Sequence, residues 1–188
     1  MRKHFLSASA VQGVKTFILA LTLLSLPVSA FTAELVHEMK VGVLNHDQDN
    51  LWSNTRRESG VDGNIELIFN VATPLWEGDI RPALGATVNF AGDTSKIYAA
   101  ARWETTVGEN GVFALGIGGA VHNGETSLVR TDRKALGSQV LFYFPVEAGY
   151  RLDDHNTISL FFDHVSNAWL ASPNEGMDTL GIRYGYRF

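Results

Sequence analysis

The sequence predicts an all-β fold, an eight-stranded antiparallel transmembrane β-barrel. Three observations predict it: an amino-terminal export segment, a series of short segments in which every second residue is apolar, and a last segment that ends on an aromatic residue. Beyond the export segment no stretch is long and apolar enough for a spanning helix. A chain that crosses a membrane without one has to pair its backbone groups between strands and close the sheet. A mean hydropathy near zero agrees with this, because lipid-facing and lumen-facing residues alternate and average out.

Residues 1–30 read as a signal peptide. Arg2, Lys3 and Lys15 precede an apolar run over 16–26, and Val28-Ser29-Ala30 supplies a small-x-small cleavage site. The alternative, an uncleaved anchor, fits less well: the run is shorter than the ~20 residues a spanning helix needs, and Pro27 interrupts it. Cleavage after Ala30 leaves residues 31–188 as one barrel domain. The chain has no cysteine, which excludes disulfides and thiolate metal sites. Its net charge of −5, without a basic patch, argues against a nucleic-acid partner.

The first strand, around 40–44, has the weakest pattern. The second sets Ile65, Leu67, Phe69 and Val71 against Glu66 and Asn70, and the third sets Leu84, Ala86, Val88 and Phe90 against Gly85, Thr87 and Asn89. In the fourth, Ile97, Ala99, Ala101 and Trp103 oppose Tyr98, Arg102 and Glu104; in the fifth, Phe113, Leu115, Ile117 and Val121 oppose Ala114, Gly116, Gly118 and His122. The sixth places Phe142, Phe144, Val146, Ala148, Tyr150 and Leu152 opposite Tyr143, Glu147 and Arg151, and the seventh covers 157–168. The eighth is the clearest: Leu180, Ile182, Tyr184, Tyr186 and Phe188 share one face, while Gly181, Arg183, Gly185 and Arg187 share the other. Those arginines belong in a polar lumen, where Arg102, Glu104, Glu147, Arg151, Arg183 and Arg187 are expected to form a salt-bridge network. Small residues such as Gly116, Gly118 and Gly119 suit a narrow lumen better than a nucleotide loop, since no helix follows them.

Connections of alternating length orient the barrel. With both termini periplasmic, the turns at 107–111 and 153–156 lie inside, and the segments 46–63 and 123–137 form outer loops. The connection 73–81 is long for a turn, and 91–96 is short for an outer loop. A soluble β-sandwich is the competing fold. The terminal Phe188 with aromatics two and four residues before it is the mark by which barrel-assembly machinery receives a client, making that machinery an expected partner during biogenesis.

The seventh strand carries an anomaly. Ile158, Leu160 and Phe162 define its lipid face, and the same parity continues into His164 and Ser166, two polar residues that would face the membrane. Such placement costs free energy unless the groups bond each other, and so it points to function. An imidazole can take the proton of a serine hydroxyl during attack on a carbonyl, and residues i and i+2 of a strand share a face about 6–7 Å apart. The parity of the last strand extends back to Asp178, so an acid able to orient the histidine faces the same way. The three converge near the outer end of the barrel. In a Gram-negative outer membrane the leaflet there is mainly lipopolysaccharide, and a serine esterase would meet the ester-linked acyl chains of lipid A.

Other candidates read as structure. His37, His46, His122 and His155 lack ligand spacing, and His46 with Asp47 and Asp49 suits a solvated outer loop; no metal or other cofactor is expected. Trp52, Trp76 and Trp103 suit interfacial anchors.

The run His164-Val165-Ser166-Asn167-Ala168, followed by Pro173-Asn174-x-Gly176 and a last amphipathic strand, resembles the PagL-type lipid A 3-O-deacylases. The likeness is concentrated in the last ~35 residues. It implies an eight-stranded outer-membrane barrel that removes an ester-linked 3-hydroxyacyl chain from lipid A through a Ser-His-Glu triad without a metal. Carried over, His164 would be the general base, Ser166 the nucleophile and Asn167 a contributor to the oxyanion hole. Asn174 either lines the head group or serves an ordinary turn. The family glutamate aligns with Asp178, one methylene shorter, and Glu175 is the rival acid. Trp169 stands where the family motif has glycine. Two other functions stay open at this stage, an outer-membrane phospholipase and a non-enzymatic barrel that stabilises the membrane or binds a partner through its loops.

Overall fold

The computed structural model describes residues 34–49, 51–53 and 57–188. The expected signal peptide lies outside them.

Among the described residues nine strands run in chain order: β1 (Val36–Asn45), β2 (Val61–Phe69), β3 (Thr73–Leu75), β4 (Gly78–Asn89), β5 (Lys96–Val107), β6 (Gly111–His122), β7 (Val140–Arg151), β8 (Asn156–Ser166) and β9 (Met177–Arg187). All neighbours are antiparallel. β1 pairs with both β2 and β9, β2 pairs with β4, and β4 through β9 pair in succession, so eight strands close into a ring. The ninth, β3, is an appendage that pairs only with the start of β4, Thr73 opposite Ile80 and Leu75 opposite Gly78. It accounts for the connection that looked too long for a turn: the chain spends those residues on a small hairpin.

The alternating pattern is what the sequence pattern requires. In β9 Ile182, Tyr184 and Tyr186 are exposed, whereas Arg183 and Gly185 between them are buried. Along the other strands Val43, Ile65, Leu84, Val88, Ile97, Leu115, Ile117, Val121, Ile158 and Leu160 also point outward and stay exposed, making an apolar girdle that only lipid can cover. No helix among the described residues is long and apolar enough to cross a membrane. β1 is longer than expected, because Glu38 and Lys40 face the lumen and extend the alternation to Val36.

The lumen is filled rather than open. Glu147 accepts from Arg102 at 2.5 Å, Arg183 at 2.7 Å and Lys40 at 3.1 Å, and Glu66 meets Arg183 at 3.0 Å and Arg102 at 3.3 Å. Nearer the short-turn end Glu104 holds Arg187 at 2.8 Å and Arg151 at 3.5 Å. The expected lumen network thus forms, with Glu66 and Lys40 as members the sequence reading omitted. Buried charges persist only when paired in this way. Toward the long-loop end the filling turns aromatic and aliphatic: Tyr98 stacks on Tyr143 at 4.2 Å, beside Leu44, Leu141 and Phe161. Gly118 packs closely against the neighbouring strand; a Cβ there would lie 2.1 Å from the Ala99 carbonyl oxygen.

The connections 46–60, 90–95, 123–139 and 167–176 gather at one end, and 70–77, 108–110 and 152–155 at the other, as the antiparallel order demands.

Candidate active site

β8 and β9 pair with His164 directly opposite Asp178, and β7 brings Phe144 opposite His164 and Phe142 opposite Ser166. The register therefore puts the three candidate side chains, His164, Ser166 and Asp178, on one patch with outward parity at the long-loop end. His164 Nδ1 lies 2.6 Å from Asp178 Oδ1, and His164 Nε2 lies 2.9 Å from Ser166 Oγ. A carboxylate can only accept, so Nδ1–H donates to Asp178 and Nε2 is left to accept from the Ser166 hydroxyl. That is the tautomer a base needs.

The expected parity is present, but the expected exposure is not. His164 is 4% and Ser166 8% exposed, and Trp52 and Ser53 pack against His164 and Asp178. Trp52 stacks on the imidazole with centroids 4.5 Å apart and planes 10° from parallel, and it also stacks on Phe144 at 5.6 Å. The backbone N–H groups of Trp52 and Ser53 both donate to Asp178 Oδ2 at 2.7 Å. The half-exposed Trp52 is thus more than an interfacial anchor. No periodicity marks it in the sequence, since it sits in an irregular loop more than a hundred residues from His164 and Asp178.

Glu175 does not reach the histidine. One of its oxygens accepts from Arg57 at 2.8 Å and the other from the Ala135 N–H at 2.6 Å, so it ties three connections together. Asn167 likewise has its donors occupied: its Nδ2 donates to the Leu136 and Pro173 carbonyls at 2.9 and 2.8 Å, and its backbone N–H donates to Asn174 Oδ1 at 3.0 Å. Asn167, expected to contribute to the oxyanion hole, is thus held in place by three acceptors. Asn174 is partly a turn residue for the same reason, yet it also lines the cleft, and its amide nitrogen meets no acceptor among the described residues.

Ala168 and Trp169 adopt φ of 51° and 64°, left-handed conformations that side chains other than glycine's enter at a cost of about 1 kcal/mol or more each. β8 ends at Ser166, two residues short of the expected limit, because of this turn. No acceptor among the described residues meets the Ala168 or Trp169 backbone N–H, which follow directly on the serine loop. Gly176, with φ 62°, completes the wall: a Cβ there would stand 3.1 Å from the His164 ring.

A cleft of about 540 Å³ opens over these groups, lined by His164, Ser166, Asn174, Trp52 and Trp169. On the other side of Asn167 a second groove, about 360 Å³ and almost wholly apolar, runs over Gly118, Gly119, Val140 and Phe142 under Leu170.

Around the cleft the connections are knitted by buried charges, which corrects the reading of His46 and Asp47 as members of a solvated loop. Both are fully buried. His46 is held between Asp62 at 2.8 Å and Glu58 at 3.0 Å; burial opposes its charge, but the two carboxylates outweigh burial and raise it to about 9. Burial pushes Glu58 up, yet the bond from His46 and donors from Lys134 and Thr94 hold it at about 2. Asp47 accepts from the Arg57 and Glu58 N–H groups and pairs with Lys134 at 3.3 Å. His122 is spent on the Ser138 carbonyl and Gly124 N–H, and His155 on the Arg187 carbonyl. Among the described residues no group of three or more such side chains could hold a metal ion.

Comparison with known proteins agrees with this architecture. Residues 44–187 match the family model described as lipid A 3-O-deacylase (PagL). The lipid A deacylase PagL of Bordetella bronchiseptica (strain ATCC BAA-588 / NCTC 13252 / RB50) is 29% identical over 145 residues, covering 77% of this chain and 74% of that protein. Among solved structures, the crystal structure of the outer membrane enzyme PagL superposes with a TM-score of 0.57 at 20% identity, over 79% of this chain and 99% of that one. Neisserial surface protein A gives 0.50 at 11% identity over 80% and 96%, a likeness of fold alone. With the family model spanning the barrel from the end of β1 to the end of β9, the chain belongs to the lipid A 3-O-deacylase (PagL) family.

Proposed function

We propose that this outer-membrane barrel is a serine esterase that removes the 3-O-linked acyl chain of lipid A, with Ser166 as nucleophile, His164 as general base and Asp178 as the orienting acid. The observation that carries the reading is the continuous hydrogen-bonded chain from Asp178 through His164 to Ser166 on the outward face of the barrel.

The steps balance without a metal. Ser166 Oγ attacks the ester carbonyl while its proton passes to His164 Nε2, and the imidazolium that forms is stabilised by Asp178. Collapse of the tetrahedral intermediate breaks the bond to the sugar oxygen, which takes the proton from His164 and leaves. Water, deprotonated by the same nitrogen, then attacks the acyl-serine, and collapse of the second intermediate breaks the bond to Ser166 Oγ, which takes that proton back from His164 as the fatty acid leaves. The Ala168 and Trp169 N–H groups are the donors best placed in sequence to steady the oxyanion, and Asn167 keeps their turn in position. Asn174 offers its amide nitrogen to the head group, and the apolar groove beside Asn167 suits an acyl chain. Outer-leaflet lipopolysaccharide is reached laterally, since the patch lies on the barrel's outside.

Purified barrel incubated with lipid A in detergent is expected to lower the lipid's mass by one hydroxyacyl chain, and Ser166→Ala to leave it intact. Equal release by Ser166→Ala would defeat the reading, and release from phospholipid in preference to lipid A would replace it with a phospholipase.

A further inference from the structure

We propose that Trp52 and Ser53 form a positioning clamp for the triad, holding Asp178 and His164 in register from a loop that crosses over them. The proposal rests on the reading of Ser166, His164 and Asp178 as the catalytic groups. A carboxylate that bonds only one partner can swing about its last torsion. Asp178 cannot, because Oδ1 accepts from His164 at 2.6 Å while Oδ2 accepts from two consecutive backbone amides at 2.7 Å each. Its main chain is fixed as well, with the Gln48 N–H donating to the Asp178 carbonyl at 2.8 Å.

The indole of Trp52 acts on the next group in the chain. It lies face to face with the imidazole at 4.5 Å, with Phe144 stacked alongside at 6.4 Å from the same ring. An aromatic face within about 6 Å of a cation attracts it, so the indole favours the imidazolium that exists only after Ser166 has given up its proton. It also closes off the water that would compete for Nδ1 and Asp178. Trp52 acts through His164 and Asp178; it is a positioning residue.

The loop that presents Trp52 is itself anchored. His46, just before it, is locked to Asp62 and Glu58, and Glu58, just after it, is bonded to Thr94 and Lys134. The clamp is thus part of the folded crown.

The test compares Trp52→Ala and Trp52→Phe with wild type for deacylation of lipid A in detergent, with Trp76→Ala as the control. Trp76 is exposed at the far end of the barrel, and its loss is expected to change nothing. Folding of each variant is checked by heat-dependent migration on gels. Trp52→Ala is expected to lower kcat about tenfold, within what loss of a desolvated cation–π contact allows, with KM little changed. Trp52→Phe, which keeps an aromatic face, should recover most of that loss. A far-downfield proton signal from the His164 Nδ1–H bond should persist in Trp52→Phe and weaken in Trp52→Ala. A folded Trp52→Ala with wild-type kcat, or one altered in KM alone, overturns the clamp while leaving the triad reading intact. Activity surviving Ser166→Ala would instead remove the reading on which the clamp rests.

Discussion

Asp178 and Glu175 lie three residues apart and both carry a carboxylate, yet the structure gives them different work. Asp178 bonds His164, while Glu175 bonds Arg57 and the Ala135 amide. Asp178→Asn is therefore expected to lower kcat by a factor on the order of 10⁴, because the amide favours the wrong imidazole tautomer. Glu175→Gln should loosen the loops and cost far less. Steady-state rates of the two variants decide between them, and a reversed order would transfer the acid's role to Glu175. The choice of Asp178 was legible in the sequence because strand parity extends back from Leu180 and Ile182 to it. The commitments of Asn167 and Asn174 were not, because they depend on a loop turning back on itself through Ala168 and Trp169, and no alternation reports a loop's course. Trp52 was hidden for a similar reason: its stacking on His164 and the bonds that the Trp52 and Ser53 amides donate to Asp178 depend on the course of an irregular connection, in which polar and apolar residues follow no period.

At the scale of elements, the strands were largely readable and the crown above them was not. A lipid-facing strand has to show a period of two, and β9, β7 and β4 show it plainly; β1 showed it faintly because Gly42 and His37 interrupt it. The crown depends instead on buried ion pairs between connections, which local sequence reads as ordinary solvated polarity. Its chemistry predicts a pH dependence. His46 is raised from 6.5 to about 9 in the fold, so its contribution is complete below 6.5 and lost as pH rises through 9. Glu58 is lowered from 4.5 to about 2, so its contribution is present above 4.5 and lost as pH falls through 2. The crown is accordingly firmest between about 4.5 and 6.5 and loosens toward pH 9 by an amount on the order of 3 kcal/mol from His46. Protection of the amides at 46–49 and 57–60 against hydrogen exchange, taken relative to the intrinsic rate at each pH, should fall between pH 6.5 and 9 in wild type. In His46→Gln that fall should be absent; an unchanged protection profile in that variant would remove His46 as the cause.

For the whole molecule, a closed ring with a filled lumen supplies a rigid wall on which an outward site can be built. Three cations, Arg102, Arg183 and Lys40, converge on Glu147. Removing that carboxylate's charge leaves them buried and undercompensated, so Glu147→Gln is expected to destabilise the barrel by about 3–5 kcal/mol, measured as a lower denaturant midpoint in lipid vesicles. A midpoint equal to wild type would show that Glu66 alone neutralises the cluster. The lumen ion pairs and the proposed catalytic groups thereby lie on opposite faces of the barrel wall. The most direct test of that division is covalent trapping. An alkyl fluorophosphonate should form one adduct on wild-type barrel, mapped by peptide mass to Ser166, and none on His164→Ala. An adduct on another residue, or undiminished labelling of the folded His164→Ala barrel, would contradict an outward-facing serine activated by His164.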